Sequence, residues 1–147
     1  MEAKRSATTV WNGDLSTGSG HVTADTTGLF RELPVSWASR TEEPAGRTSP
    51  EELLAAAHAA CFSMAFSNGL SKAGNAPEQL ETTAEVTFEK QEAGWRVTRS
   101  HITVRGRVPG CDEAAFRQAA EAARDGCPIS QALKGNVELS VDASLEG

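Results

Sequence analysis

The sequence predicts an α+β fold, and three features of the chain support this prediction. Short alternating stretches typical of strands lie near both ends, a long apolar stretch with a strong helix start lies between them, and an amphipathic helix precedes the last strand. The length of 147 residues suits one hydrophobic core, so we expect a single domain over residues 1–147.

The first part of the chain is predicted to form a β-hairpin. Two short alternating runs, 8–11 and 21–24, flank residues rich in Gly, Asn and Asp that favour turns. A further strand is predicted over 35–39, followed by a polar loop over 41–49. This assignment places Arg40 where a strand enters a loop.

The central helix has a clear start signal. Ser49 is suited to cap it, and Pro50 fits the first helical position. We expect the helix to end at about Asn68 or Gly69. Its most apolar part, 53–66, is 14 residues long and contains polar residues, which is short for a membrane span and favours a buried core helix.

Strands 81–90 and 94–108 are predicted to form a second hairpin. The apolar residues of the second strand change parity along its length, which indicates a bulge or twist. Asp112 is suited to cap a second helix, Pro128 begins a short helical turn, and the alternating residues 137–141 form the last strand.

Composition excludes several function classes. The 14 Lys and Arg against 20 Asp and Glu give a net charge of −6, the wrong sign for a phosphate backbone or an anionic lipid surface, so we expect neither nucleic acid nor membrane as a partner. The N-terminus lacks the apolar segment of a secretory signal, so we expect a cytoplasmic protein. Three cysteines, an odd number, leave thiol chemistry, metal ligation or simple burial open.

Two of these cysteines have informative positions. Cys61 lies inside the central helix, which leaves open a small buried hydrophobe or a reactive thiol. Residues 52–69 contain no Lys or Arg, so an activating charge must come from elsewhere in the fold. Cys127 follows a helix-ending glycine, where the free N–H groups of the next helical turn favour a negative sulfur, and we expect it to be the more exposed of the two.

The remaining candidates are weaker. His58 shares a helix face with Cys61, so it is either a base for the thiol or, as we favour, a packing histidine bonded to a backbone carbonyl. The chain otherwise lacks the close Cys and His pairs that zinc sites use, so we expect no metal and no other cofactor. Cys111 lies in a turn and is expected to have no defined role.

Three segments of the chain form a specific pattern. They are Arg40 ahead of its polar loop, the run SPEELLAAAHAACFSMA over 49–65, and the run CPISQAL over 127–133. Together they resemble the OsmC/Ohr family of osmotically inducible and organic hydroperoxide resistance proteins. The likeness covers nearly the whole chain, including the opening VWNGD at 10–14, and the position of Arg40 resembles the OsmC branch.

The resemblance implies a thiol peroxidase for alkyl or lipid hydroperoxides. Cys61 would be the peroxidatic nucleophile that becomes a sulfenic acid, and Cys127 the resolving partner that condenses with it into a disulfide. Arg40 would supply a cation for the thiolate, and Glu51 would orient Arg40 through a bidentate pair. The alternative for this pair is an exposed salt bridge. The family also suggests a dithiol reductant such as a lipoyl group.

The fold that the resemblance implies is an intertwined homodimer with antiparallel sheets wrapped around two central cysteine-bearing helices. An argument from helix geometry agrees with a dimer. Glu51 and Cys61 would lie roughly 15 Å apart along one continuous helix, so one arginine can hardly contact both within a chain. Either the partner's Glu51 completes the site, as we favour, or the helix is broken. The Ala-rich run 55–60 suits close helix packing.

Apolar residues of the cysteine helix are predicted to line an entrance that favours alkyl or lipid hydroperoxides over hydrogen peroxide. They are the substrate-binding candidates Leu53, Phe62 and Phe66, with Leu54, Met64 and Trp37 beside them. Two alternatives remain open: a non-catalytic redox-sensing or ligand-binding dimer, and a structural dimer with unrelated core thiols. Turnover with a dithiol reductant separates the first of these from a peroxidase.

Overall fold

The structure, a computed structural model, describes residues 1–146 and contains two compact units, Met1–Pro50 and the part of the chain from Glu51 onward. The elements are β1 (Ala7–Asn12), β2 (Ser19–Ala24), β3 (Leu33–Val35), α1 (Ala38–Thr41), α2 (Pro50–Lys72), β4 (Gln79–Gln91), β5 (Gly94–Arg107), α3 (Glu113–Gly126), α4 (Pro128–Leu133) and β6 (Glu138–Leu145). This is the predicted mixture of helices and sheet. The organisation as a single domain stays a prediction.

The first unit contains a three-stranded antiparallel sheet in the order β1-β2-β3. Its β1–β2 hairpin confirms the prediction for this region. Gly20 pairs with Trp11 in the hairpin, and a Cβ at Gly20 would lie only 2.8 Å from the Trp11 ring, so a larger residue there would displace the indole.

The strand predicted over 35–39 is wrong beyond Val35. The chain turns there into the short helix α1, because Ser36 and Ser39 bond each other's backbone N–H groups through their hydroxyls, both at 3.1 Å. Ser39 Oγ also donates to the carbonyl of Thr48 at 2.7 Å. Arg40 therefore lies on a helix and not at the exit of a strand.

In the second unit, α2 is an unbroken helix of 23 residues that ends at Lys72, beyond the predicted end. One face packs into the core with Phe62, Phe66 and Leu70 fully or almost fully buried. The opposite face is exposed, so the prediction of a buried core helix holds for one face only. By length and composition α2 is also apolar enough to cross a membrane, a test that core helices of soluble proteins pass as well.

The second sheet has the order β4-β5-β6. β4 and β5 are antiparallel, and Thr87 pairs with Arg99 whereas Phe88 pairs with Val97, which leaves Thr98 as the extra residue of a bulge. This confirms the irregularity predicted in the second strand.

The prediction of purely antiparallel sheets is wrong for the last strand, because β6 runs parallel to β5. Parallel neighbours require a crossover connection, and α3 and α4 form it by carrying the chain back to the middle of β5, where Glu138 pairs with Arg99. α3 begins as predicted, with the Asp112 side chain accepting the N–H of Ala115 at 2.7 Å.

The core of the second unit lies where α2 and α3 meet this sheet. The Phe116 ring packs against Phe66 with 4.9 Å between ring centroids. On the sheet, Gly106 leaves room for the same ring, since a Cβ there would lie 2.8 Å from it. Ile102 and Val104 complete this fully buried cluster.

Candidate active site

Cys61 and Cys127 come together at the start of α4. Cys127 immediately precedes this helix, and its sulfur accepts the N–H of Ser130 at 3.3 Å. The sulfur of Cys61, which projects from α2, accepts the N–H of Ile129 at 3.5 Å. Two cysteines far apart in the sequence thus bond backbone N–H groups in the first turn of the same short helix.

The exposure of the two cysteines is the reverse of the prediction. Cys127 is fully buried, whereas Cys61 is half-buried. The reason is that the sulfur of Cys127 turns inward to bond Ser130, an outcome of packing that the local sequence does not reveal. Both residues are free thiols, as is Cys111, whose sulfur contacts the carbonyl of Asp112.

The environment of Cys61 in the second unit favours the protonated thiol. Burial raises the pKa of the Cys61 thiol above its ordinary value, the N–H of Ile129 lowers it, and the neighbouring Cys127 raises it further. A reactive cysteine needs the thiolate, so an additional positive charge is required for efficient chemistry.

A buried polar chain, which the sequence did not reveal, leads away from Cys127. Ser130 Oγ lies 3.0 Å from the sulfur of Cys127 and 2.8 Å from His58 Nε2, and His58 Nδ1 lies 2.6 Å from Ser100 Oγ. All four side chains are fully buried. The only sequence signal was the helical spacing of His58 and Cys61 and the place of Ser130 three residues after Cys127.

His58 therefore has partners other than those expected. Its two ring nitrogens bond serine hydroxyls, so the prediction of a bond to a backbone carbonyl is wrong, and neither nitrogen is left to act as a base toward Cys61. Burial lowers the pKa of His58, which favours the neutral ring.

Arg40 and Glu51 belong to different units of the chain. Arg40 lies on α1 with its guanidinium carbon 5.5 Å from the centroid of the Trp37 ring. Glu51 lies in the first turn of α2 and is buried, with 8% of its surface exposed. Because α2 continues without a break from Glu51 to Cys61, the alternative of a broken helix is wrong. The roles of both residues stay predictions.

The predicted substrate-binding residues divide into two groups. Phe62 and Phe66 are fully buried, and their rings pack at a tilt of 52° with 5.5 Å between centroids, so the structure contradicts their placement at an entrance and assigns them to the core. Leu53 is half-buried, and Met64 is 72% exposed on the outer face of α2. Within residues 1–146, no group of three or more His, Cys, Asp or Glu side chains is arranged to hold a metal ion.

The fold and this centre define an α+β protein with two neighbouring cysteines, one accessible and one buried behind it. The chain belongs to the OsmC/Ohr family, since the family described as OsmC-like protein matches residues 43–142. This confirms the resemblance seen in the sequence.

Individual relatives agree with this assignment. The chain is 41% identical over 129 residues to Peroxiredoxin OsmC of Escherichia coli, covering 88% of this chain and 89% of that protein. It is 31% identical over 97 residues to the Organic hydroperoxide resistance protein of Xanthomonas axonopodis pv. citri, covering 64% of this chain and 65% of that protein. The crystal structure of the organic hydroperoxide resistance protein OhrB of Bacillus subtilis matches with a TM-score of 0.74 and 25% identity, covering 95% of this chain and 98% of that one.

Proposed function

We propose that the protein is a thiol-dependent peroxidase that reduces organic hydroperoxides, alkyl or lipid, to alcohols. The observation that carries this proposal is the pair formed by half-buried Cys61 and buried Cys127 at the start of α4. Relatives named as a peroxiredoxin and as an organic hydroperoxide resistance protein support a hydroperoxide-related redox role.

The difference in exposure supports the assignment of the two thiols. A peroxide from solution reaches Cys61 before it reaches the fully buried Cys127. The Cys61 thiolate attacks the distal oxygen, the O–O bond breaks, and the alkoxide leaves as the alcohol after taking a proton, while Cys61 becomes a sulfenic acid. Cys127 then attacks this sulfur, a disulfide forms and water leaves. A dithiol reductant, of which a lipoyl group is an example, restores both thiols.

Arg40 is the proposed source of the positive charge that Cys61 lacks in its own unit. Its planar guanidinium can bond a thiolate and the peroxide oxygens together, and Glu51 orients it. The burial of Glu51 supports this role, because a buried carboxylate needs a charged or hydrogen-bonding partner. Glu51 and Cys61 are roughly 15 Å apart along α2. We therefore propose that the partner's Glu51 completes each site in a homodimer.

The outer face of α2 supports the homodimer. Ala56, Ala57, Ala60 and Met64 are exposed there, although they continue the most apolar segment of the chain. A second copy of the helix packed on these side chains would remove this surface from water. The same proposal includes sheets that intertwine around the two helices, and it includes Leu53 as a substrate contact. We also propose a cytoplasmic location, with neither nucleic acid nor a membrane as a partner.

Intact mass and thiol counting after one equivalent of an alkyl hydroperoxide test the mechanism. Reduced wild-type protein is expected to lose two thiols into a Cys61–Cys127 disulfide. Cys127→Ser is expected to stop at an oxidised Cys61, and Cys61→Ser to remain reduced, whereas the matched control Cys111→Ser behaves as wild type. If wild-type protein keeps all its thiols reduced, the peroxidase proposal is wrong.

A further inference from the structure

The buried chain of Ser130, His58 and Ser100 ends at the sulfur that has to lose a proton in the proposed reaction. Cys127 is fully buried, so solvent cannot accept the proton of its thiol directly. Ser130 Oγ, a hydroxyl that can relay a proton, lies 3.0 Å from this sulfur. Ser130 Oγ in turn lies 2.8 Å from His58 Nε2.

The hydrogen bonds from Cys127 to His58 can be arranged so that each group donates to the next. The thiol of Cys127 donates to Ser130 Oγ, the Ser130 hydroxyl donates to His58 Nε2, and His58 Nδ1–H donates to Ser100 Oγ. The tautomer with the hydrogen on Nδ1 leaves a lone pair on Nε2. This lone pair faces Ser130 Oγ at 2.8 Å, so His58 can accept one proton at Nε2.

We propose that Ser130 and His58 receive the proton of the Cys127 thiol during formation of the disulfide, an inference that rests on the proposed peroxidase function. The Cys127 proton passes to Ser130 Oγ as the Ser130 proton passes to His58 Nε2. The S–S bond forms while the S–O bond of the Cys61 sulfenic acid breaks. The departing hydroxide takes back the proton from the relay and leaves as water, so no further oxidant or reductant is consumed.

Ser130 is a catalytic residue in this proposal because it contacts a reacting sulfur. Its backbone N–H also bonds that sulfur, at 3.3 Å, so the same residue holds the negative charge that develops on it. His58 and Ser100 are positioning residues that act through Ser130. A purely structural role is the weaker explanation, since apolar side chains would fill the same fully buried space without needing hydrogen bonds.

A single-turnover experiment separates this step from the reaction of Cys61 with peroxide. Reduced protein is mixed with one equivalent of an alkyl hydroperoxide, and samples are quenched at intervals with dimedone, which traps sulfenic acid, or with an alkylating agent. Mass spectrometry then gives the rate of Cys61 oxidation and the rate of disulfide formation. The variants are Ser130→Ala and His58→Gln, and the matched control is Ser140→Ala, which removes a similar serine–histidine bond of 2.6 Å to His101 in the same sheet.

We expect both variants to oxidise Cys61 at close to the wild-type rate but to form the disulfide about 100-fold more slowly, with trapped sulfenic acid accumulating. Ser140→Ala is expected to match wild type in both steps. His58→Gln retains an amide that can bond Ser130 but has no titrating base, so it distinguishes proton transfer from hydrogen bonding alone. It also provides the test if Ser130→Ala does not fold.

Disulfide formation at the wild-type rate in a folded His58→Gln protein overturns the relay and leaves the peroxidase proposal intact. Slowing of both steps to the same extent in His58→Gln also overturns it, because that pattern indicates a general structural effect. Failure of wild-type Cys61 to be oxidised at all overturns the peroxidase proposal and the relay together.

Discussion

Replacing Met64 by Ala is expected to weaken a homodimer of this protein strongly. Met64 is 72% exposed on the outer face of α2, which is the face that the proposed dimer covers. Full burial of a Met side chain is worth about 1.5–3 kcal/mol, so burying the exposed part is worth about 1–2 kcal/mol per chain. A two-fold dimer contains two copies of this contact, which gives about 2–4 kcal/mol, or about 30- to 1,000-fold in the dissociation constant.

Sedimentation velocity across a dilution series measures this effect directly. The matched control is Leu29→Ala, which removes a side chain that is 86% exposed in the loop between β2 and β3. The control is expected to leave the dissociation constant unchanged. Equal dissociation constants for wild type and Met64→Ala, or a wild-type protein that is monomeric at micromolar concentration, would refute the assignment of this face to the dimer.

Two further predictions concern stability. Phe116→Ala removes a fully buried ring that packs between Gly106 and Phe66, and we expect it to lower the free energy of unfolding by about 3–5 kcal/mol. Urea titrations at fixed protein concentration measure this loss, and the control Leu29→Ala is expected to stay close to wild type. A loss below about 1 kcal/mol for Phe116→Ala contradicts this core assignment. Because burial lowers the pKa of His58, the unfolded state binds more protons as the pH falls below about 6.5, so the free energy of unfolding decreases with acidification by up to about 1.4 kcal/mol per pH unit from this residue. The same titration of His58→Gln is expected to show a shallower decrease between pH 6.5 and 5, and an identical slope would show that His58 does not have this lowered pKa.

Local signals in the sequence were sufficient for most of the elements. Pro50, Asp112 and Pro128 mark helix starts that the structure confirms, because caps and prolines act within one turn of the chain. The strand direction of β6 and the helix α1 were missed. The first depends on how a crossover packs on a sheet, and the second depends on two serines, Ser36 and Ser39, whose mutual hydrogen bonds leave no periodic pattern.

The candidate site shows the same division between local and tertiary information. Cys61 and Cys127 were found from the residues around them, yet their relative exposure was predicted in reverse. The helix-start argument for Cys127 was correct, since its sulfur does accept a backbone N–H from α4. That argument concerned only the neighbouring backbone groups, whereas the full burial of Cys127 depends on how distant parts of the chain pack.

This reversal has a chemical consequence. We propose Cys127 as the resolving cysteine, and in that role an exposed thiol would be free to form mixed disulfides with solutes, whereas a fully buried thiol is shielded from them. In the proposed mechanism, burial also keeps water from accepting the thiol proton, so Cys127 needs an internal proton acceptor. The hydroxyl of Ser130 and the neutral ring of His58 lie where that need arises, at hydrogen-bond distance in series. On this argument, the same packing both restricts the Cys127 thiol to its neighbouring sulfur and makes a buried proton relay necessary.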